Sequence, residues 1–583
     1  MAGIAPAAMA AKRCVAPPGG RCLTVRVPLD HSGGVPGHLR LHVVRVPTPH
    51  SPPAGRRTAL VPIVGGPGLA ATQFANYYKV LVGNAMRGRD LVLWDQRGTG
   101  QSDPLHCPSL EQSTNLGGPA AAYQCATALG PARAFFRTQD TVDDLEAVRR
   151  KVGARRLLLF GFSYGTRVAL QYAAKYPRHV EAIVLDGPVA PEGVDALHQA
   201  GYNAVPAMLR SLCVARCAAV TPDVVRDLVT VAQRLNQSGV DVTEYGDDGS
   251  PRTVGLTAGT LFGLIETSDQ IPMLRGAFPA ALHAAAAGDF VPLTRLAADS
   301  AERHSAKVDT TYYSPAAYAA TQCTEAKMPF DRRTQDPSAR WAQVQQTIQS
   351  TPADAYWPFT VDAAAASPLM RMCLGWPYDD RPELPALTPA NKVRVRALIL
   401  SGDADLTTPP VNARLTAAVI ARPSVVEVPD GGHGVLETSP CARRALAVFL
   451  TGRTLNERCP RDVNFIKVWP LLPKPDAPVS ADDIFTIARQ TLWDVRRRIE
   501  LSLATRKGIG GKFLIAGGLR GGMFIARDRH VTLLNVVLFP GVPVSGKLKP
   551  GGTLQIGDFG TAKVDRRGNV VSATTTDGRT FTR

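Results

Sequence analysis

Residues 155–177 read RRLLLFGFSYGTRVALQYAAKYP. Leu157 to Phe160 form a short apolar run of the kind a buried parallel strand requires. Gly161-Phe162-Ser163-Tyr164-Gly165 follows, and then Val168, Ala169, Leu170 and Ala173 fall in a helical pattern. A bare G-x-S-x-G is weak in a chain with 52 glycines. Between a buried strand and an amphipathic helix it becomes a candidate nucleophile elbow, and a passive serine in a tight turn is the blander alternative. The glycines flank Ser163 at two residues on either side because strand and helix backbones nearly touch there, which leaves no room for a Cβ. The turn lifts the Ser163 hydroxyl above the carboxyl end of a sheet.

Working outward, Val180 to Gly187 (VEAIVLDG) is the next strand. Upstream, Thr141-Val142-Asp143-Asp144 approximates a capping box, opening a helix with Val142, Leu145, Val148 and Val152 on its apolar face. Strand, helix and strand make a βαβ unit of a parallel sheet. Leu23 to Asp30 and Leu39 to Pro47 alternate as an antiparallel hairpin at a sheet edge. Leu60 to Val64 is a buried strand ending in Gly65-Gly66-Pro67-Gly68, a loop able to bring a backbone N–H to an oxyanion. Asp90 to Asp95 is another strand. The Gln96-Arg97-Gly98-Thr99-Gly100 turn after it reads as structural rather than catalytic.

Strands return late in the chain. Val395 to Ser401 leads into Gly402-Asp403-Ala404-Asp405 and Thr407-Thr408-Pro409, and Ser424 to Val428 leads into Gly431-Gly432-His433-Gly434. An acid just past a late strand is placed to orient an imidazole, and Asp403 and Asp405 both qualify. Of the 11 histidines, His433 alone sits in a Gly-rich loop beyond such an acid. The chain order Ser, Asp, His is that of α/β hydrolases.

The reading is therefore α/β: an α/β-hydrolase fold with a mostly parallel sheet, a helical lid insertion and a small C-terminal β-rich module. Residues 1–189 and 390–464 form the two parts of the core. The Ala-rich, mostly helical stretch 190–389 is the lid, and 465–583 is a basic C-terminal module. Its 19 Lys/Arg against 9 Asp/Glu supply most of the formal net charge of +17. Stacking aromatics are not interleaved with these charges, so a nucleic-acid partner is not expected; contact with an anionic cell surface is.

The ten cysteines couple most simply as sequence neighbours: Cys14/Cys22, Cys107/Cys125, Cys213/Cys217, Cys323/Cys373 and Cys441/Cys459. Disulfides imply an extracytoplasmic, secreted protein; buried reduced thiols are the alternative. Ala8-Met9-Ala10 looks like the end of a signal peptide that lacks its basic and apolar regions. The sequence lacks an apolar run long enough for a membrane span and a zinc-ligand spacing, so neither an integral membrane protein, a metal nor another cofactor is expected.

The motifs Gly65 to Gly68, Asp95 to Gly100, Gly161 to Thr166 and Gly402 to Pro409 with His433 resemble the prolyl-iminopeptidase-like α/β hydrolases, and more narrowly the secreted tripeptidyl aminopeptidases of actinobacteria. The segment from Cys22 to Asp30, and Cys441 and Cys459 around the final helix, also suit that group. The resemblance covers about Cys14 to Cys459. It departs at Leu406, where the family has proline, and in the tail beyond Asn464. It implies a serine peptidase acting on peptide N-termini through Ser163, His433 and Asp405, which it favours over Asp403. Backbone N–H groups of Tyr164 and of Gly66 or Gly65 would hold the oxyanion. A lid carboxylate would hold the substrate ammonium, with Glu325 the candidate. An esterase or lipase, or a binding protein on a hydrolase scaffold, are the alternatives.

Overall fold

The computed structural model describes residues 14–582 apart from 15, 49–52, 54, 56, 114, 247, 306–307, 383, 477, 506–512 and 528–529. The signal-like Ala8-Met9-Ala10 lies outside the described residues. The chain divides into two compact units: residues up to 204 with 307–352 and 364–462, and residues 205–306 with 353–363 and 463–583.

The first unit is built on one nine-stranded sheet. Its strands are β1 (Arg21–Pro28), β2 (His38–Val46), β3 (Arg57–Ile63), β4 (Arg89–Trp94), β5 (Ala154–Phe162), β6 (Val180–Asp186), β7 (Val393–Gly402), β8 (Ile420–Val428) and β9 (Asn456–Arg458). They lie in the order β1-β2-β4-β3-β5-β6-β7-β8-β9. The β1–β2 hairpin pairs antiparallel and joins β4 antiparallel, while the remaining pairs are parallel. This is the α/β-hydrolase arrangement that the sequence leads one to expect.

The centre of the sheet is apolar on both faces, and β5 explains why its run is continuous rather than alternating. Leu157 and Leu159 join one core with Val61, Ile63, Ile183, Leu185 and Ile399. Leu158 and Phe160 join the other with Leu60, Val184, Leu398 and Leu400. Helices α1 (Thr138–Lys151) and α2 (Tyr164–Lys175) contribute Val142, Leu145, Val148, Val168 and Leu170 to the first core.

Helix α1 starts three residues before the expected Thr141. Asp140 accepts from the Arg137 N–H at 3.3 Å, closing the real N-terminus. Asp144 is thereby freed for another partner: it takes the buried Arg97 guanidinium through both oxygens at 2.6 and 2.7 Å. Arg97 also donates to the carbonyls of Leu29 and Phe135, so the Gln96–Gly100 turn is a structural clamp.

All five neighbour pairs of cysteines form disulfides. One of them, Cys323–Cys373, ties helix α3 (Pro315–Glu325) to residues 368–374.

The second unit contains helices from 205–306, an antiparallel hairpin of Val240–Tyr245 with Pro251–Leu256, and the tail. Stretch 190–389 is thus shared between the two units, and the tail clusters with 205–306. Ser480 and Asp483 cap the entry to helix α4 (Ile484–Thr505). Strands β10 (Phe513–Gly517), β11 (Met523–Arg527), β12 (His530–Val537), β13 (Pro543–Leu548), β14 (Thr553–Ile556), β15 (Gly560–Val564), β16 (Val570–Thr575) and β17 (Thr580–Thr582) form an antiparallel sheet in sequence order. Ile484, Ile487, Leu492 and Val495 of α4 share its core. Buried ion pairs join tail and helices: Arg295 with Asp494, and Arg498 with Asp299 at 2.9 Å. No helix of the described residues is long and apolar enough to cross a membrane.

Candidate active site

Ser163 stands between β5 and α2 with φ 55° and ψ −126°. That is a strained conformation for a residue with a Cβ, and it persists only where the surroundings impose it. Here the neighbours do. A Cβ on Gly161 would lie 2.6 Å from the Gly165 carbonyl oxygen, and one on Gly165 would lie 2.0 Å from that of Ile63. The first glycine lets strand meet helix; the second lets the helix cross over β3. The Ser163 N–H donates to the Asp186 carbonyl at 3.0 Å, and the Thr166 N–H donates to the Ser163 carbonyl at 2.9 Å. Tyr164, the first helical residue, has an N–H without an intrahelical acceptor.

The Gly65–Gly68 loop runs beside this turn. A Cβ on Gly65 would come within 2.8 Å of Ser163 Cβ. Gly66 and Gly68 have φ of 102° and 104°. The loop is stitched to the segment before α3, with the Ser314 N–H donating to the Gly68 carbonyl and the Ala70 N–H to that of Tyr312, at 2.9 and 3.0 Å.

His433 is nearly buried, its side chain 4% exposed, and its Nδ1 lies 3.1 Å from Asp405 Oδ2. Thr408 braces the pair. Its N–H and hydroxyl both donate to the Asp405 carboxylate at 2.7 Å, and its oxygen lies 3.1 Å from His433 Nδ1. The imidazole packs 5.0 Å from the ring of Phe162, the residue before Ser163. Asp403 turns elsewhere: it accepts from the Asp430 N–H and pairs with Arg458 at 3.0 Å. Of the two acids, Asp405 meets the imidazole.

Asp186, at the end of β6, was not singled out by sequence. It is wholly buried, and its two oxygens accept from the N–H groups of Val435 and Leu436, both at 2.9 Å. It therefore holds the backbone that immediately follows the His433 loop. Burial pushes its carboxyl up to about 6, against the pull of the two N–H groups. The available signal was an acid closing an apolar strand, a placement that burial makes costly unless donors meet it.

Glu325, the last residue of α3, is committed internally. It accepts from the Thr138 N–H and hydroxyl, both at 2.6 Å, and pairs with Arg167 Nε at 3.3 Å. Thr138 Oγ1 in turn lies 2.8 Å from Tyr164 Oη. The carboxylate thus fastens α3 to the starts of α1 and α2. Its charge is already met by Arg167 and by the N-terminus of α1, a geometry that supplies a positioning duty rather than a vacant partner for a substrate ammonium. Burial raises the Tyr164 phenol above its ordinary range, with Glu325 adding to the effect.

Comparison with known proteins agrees with the motif resemblance. A family described as "alpha/beta hydrolase fold" matches residues 59–206, and one described as "TAP-like protein" matches residues 358–461. The tripeptidyl aminopeptidase of Streptomyces lividans is 26% identical over 74% of this chain and 82% of its own. The serine protease Hip1 of Mycobacterium tuberculosis is 29% identical over 30% of this chain and 37% of its own. The proline iminopeptidase of Neisseria gonorrhoeae is 33% identical over 17% of this chain and 23% of its own.

Proposed function

We propose, for a chain that is an α/β hydrolase with a TAP-like segment, the activity of a serine peptidase releasing short peptides, tripeptides foremost, from free N-termini. The observation that best supports this is His433 Nδ1 at 3.1 Å from Asp405, with the imidazole against Phe162, the neighbour of the strained Ser163. The carboxylate favours the tautomer with the proton on Nδ1, leaving Nε2 as the base. Nε2 takes the Ser163 proton as the hydroxyl oxygen attacks the scissile carbonyl, then gives that proton to the departing amine. The N–H groups of Tyr164 and Gly66, with Gly65 beside them, hold the oxyanion; one such donor is worth about 3 kcal/mol of barrier. Water, deprotonated by the same Nε2, then releases the acyl peptide. The tripeptide unit is taken from the relative that covers most of the chain.

The five disulfides support secretion into an oxidising compartment. The basic excess of 465–583 supports contact with an anionic cell surface, which rising salt weakens. Part of that excess is already used inside the second unit, where Arg498 and Arg520 meet Asp299 and Asp289.

A tripeptide anilide with a free amine is cleaved, and its N-acetylated counterpart is not. Equal turnover of both removes the aminopeptidase reading and leaves a general hydrolase such as an esterase. A fluorophosphonate labels the wild type but not Ser163→Ala; an unlabelled wild type points to a binding protein instead.

A further inference from the structure

Gly66 and Gly68 give the Gly65–Gly68 loop its shape, and glycine gives up more backbone freedom on being fixed than any other residue. An oxyanion donor is effective only when it is held in place before the charge develops. Whatever holds this loop therefore bears on the chemistry. Its entry is set by β3, whose Ile63 pairs with Gly161. Its exit runs through Leu69 and Ala70 into a short 3-10 turn, Ala71–Phe74. Ala70 precedes that turn and has no side chain able to cap it.

The cap comes from the neighbouring strand. Asp95 immediately follows β4 and is completely buried. One of its oxygens accepts from the Thr72 N–H and the other from the Thr72 hydroxyl, both at 2.9 Å. The second oxygen also accepts from the Gln101 N–H at 3.0 Å. Burial pushes this carboxyl up, and the Thr72 and Gln101 donors pull it back. Gly100 lets the parts meet: a Cβ there would lie 2.7 Å from Ala70 Cβ and would run into the Asp95 carboxylate. Gln96 reaches the other end of the loop, its Nε2 lying 3.4 Å from the Val64 carbonyl. The base is itself tied down. The Ser102 hydroxyl donates to the Asp95 carbonyl at 2.6 Å, and the Asp95 N–H donates to the His42 carbonyl at 3.0 Å.

We propose that Asp95 is a positioning residue for the oxyanion hole: acting through Thr72, it fixes the exit of the Gly65–Gly68 loop and with it the place of the Gly66 N–H. It touches neither substrate nor the reacting atoms, and the inference rests on the Ser163 chemistry given under the proposed function. Hydrogen bonds to an ionised carboxylate are the strong kind, and Asp95 collects both of its bonds to the loop at one residue. Loosening that anchor weakens a contact made with the developing charge, so the loss falls on the transition state rather than on substrate binding.

The test uses the full chain and a pair of variants. Thr72→Val removes the hydroxyl with little change of shape and leaves the N–H contact, while Thr72→Ser keeps the hydroxyl. In Thr72→Val, kcat on a free-amine tripeptide anilide falls about tenfold, and KM stays within about twofold. The Ki of a tripeptidyl trifluoromethyl ketone, whose adduct with the serine carries an oxyanion, rises by the same factor as kcat falls. Thr72→Ser stays within about twofold of wild type in all three. Asp95→Asn, which turns an NH₂ toward the Gln101 N–H, shows a larger loss in the same direction; where it does not fold, the Thr72 pair decides. Hydrogen exchange followed by mass spectrometry on the same proteins shows residues 64–72 exchanging faster in Thr72→Val and residues 154–162 unchanged. An active wild type whose Thr72→Val variant keeps its kcat and its affinity for the ketone overturns the proposal. Exchange over 64–72 that does not change overturns it equally. A wild type inert toward both compounds removes the Ser163 chemistry and this role with it, a failure told apart from the others by exchange over 64–72 that still rises in Thr72→Val.

Discussion

The two units are held by different kinds of constraint. Around Ser163 and His433 the first unit is fixed by clashes and bonds that act at short range: a Cβ that Gly161 cannot carry beside the Gly165 carbonyl, and a Thr408 three residues from the carboxylate it braces. The second unit is fixed by buried charges that are remote in sequence. Arg295 and Asp494 lie 199 residues apart, and Arg520 and Asp289 lie 231 apart. Short-range constraint selects one backbone conformation wherever the segment is placed. Long-range pairing selects which segments are neighbours, and a broken pair leaves a charge in a place that water cannot reach.

The largest expected effect sharpens the first half of that contrast. Asp403 and Asp405 are two residues apart, yet only Asp405 meets the imidazole. Asp405→Asn lowers kcat by about 10⁴-fold, because an amide no longer selects the tautomer with the proton on Nδ1. Asp403→Asn, which loosens a contact with Arg458, changes kcat by less than about threefold. Steady-state kinetics of the two variants decide it, and equal losses would return the choice of acid to an open question.

Next in size is the second unit. The Arg295 and Asp494 side chains are 3% and 1% exposed. Removing one partner, as in Arg295→Ala, strands the other and costs about 3–5 kcal/mol, whereas Arg295→Met with Asp494→Leu recovers most of the loss. Urea unfolding followed by tryptophan fluorescence separates the cases. A double variant as unstable as the single one would mean that the pair specifies the arrangement of the unit and does more than occupy it.

This difference in constraint also explains what a reader of the sequence could see. The elbow, the Gly65–Gly68 loop and the His433 loop each announce themselves within a few residues, because glycine is needed where backbones touch. The sheet follows from apolar runs such as Leu157 to Phe160, buried on both faces. Glu325 was legible as an acid near a disulfide, but its partners Thr138 and Arg167 lie 187 and 158 residues upstream. Capping chemistry misled at Thr141, because the Asp144 that seemed to close a capping box is taken by Arg97. The clustering of the tail with 205–306 has no local signature, since an arginine in α4 reads the same whether it meets water or Asp299.

Asp186 combines both kinds of constraint, being a single side chain beneath the His433 loop and 249 residues from the N–H group of Val435 it receives. Asp186→Asn keeps one good acceptor and turns an NH₂ toward the other backbone N–H, so kcat falls about tenfold. Its pH signature is specific. The folded carboxyl is raised from 3.8 to about 6, so the stability that its neutral form allows is fully present below pH 3.8 and is lost as pH rises through about 6. The wild type minus variant difference in unfolding free energy therefore slopes downward across that window, by up to ~1.4 kcal/mol per pH unit. Removing a negative charge beside His433 also moves the acid limb of kcat/KM to lower pH. A flat difference and an unmoved limb would reduce Asp186 to an ordinary buried acceptor.

The smallest effect is expected at Glu325, and it is the one that tests the contrast most finely. If its carboxylate serves α1 and α2, Glu325→Gln loses the Arg167 ion pair and part of the Thr138 contact. Stability then drops by about 1 kcal/mol, and kcat falls a few-fold as the start of α2, which carries the Tyr164 N–H, loosens. KM for a free-amine tripeptide stays within about twofold of wild type. If instead the carboxylate receives the substrate ammonium, the loss appears in KM, at about tenfold or more, and an N-acetylated substrate is spared it. The KM-against-kcat split on the free and blocked substrates separates a residue that fixes the frame from one that touches the ligand, a distinction that stability measurements alone cannot draw.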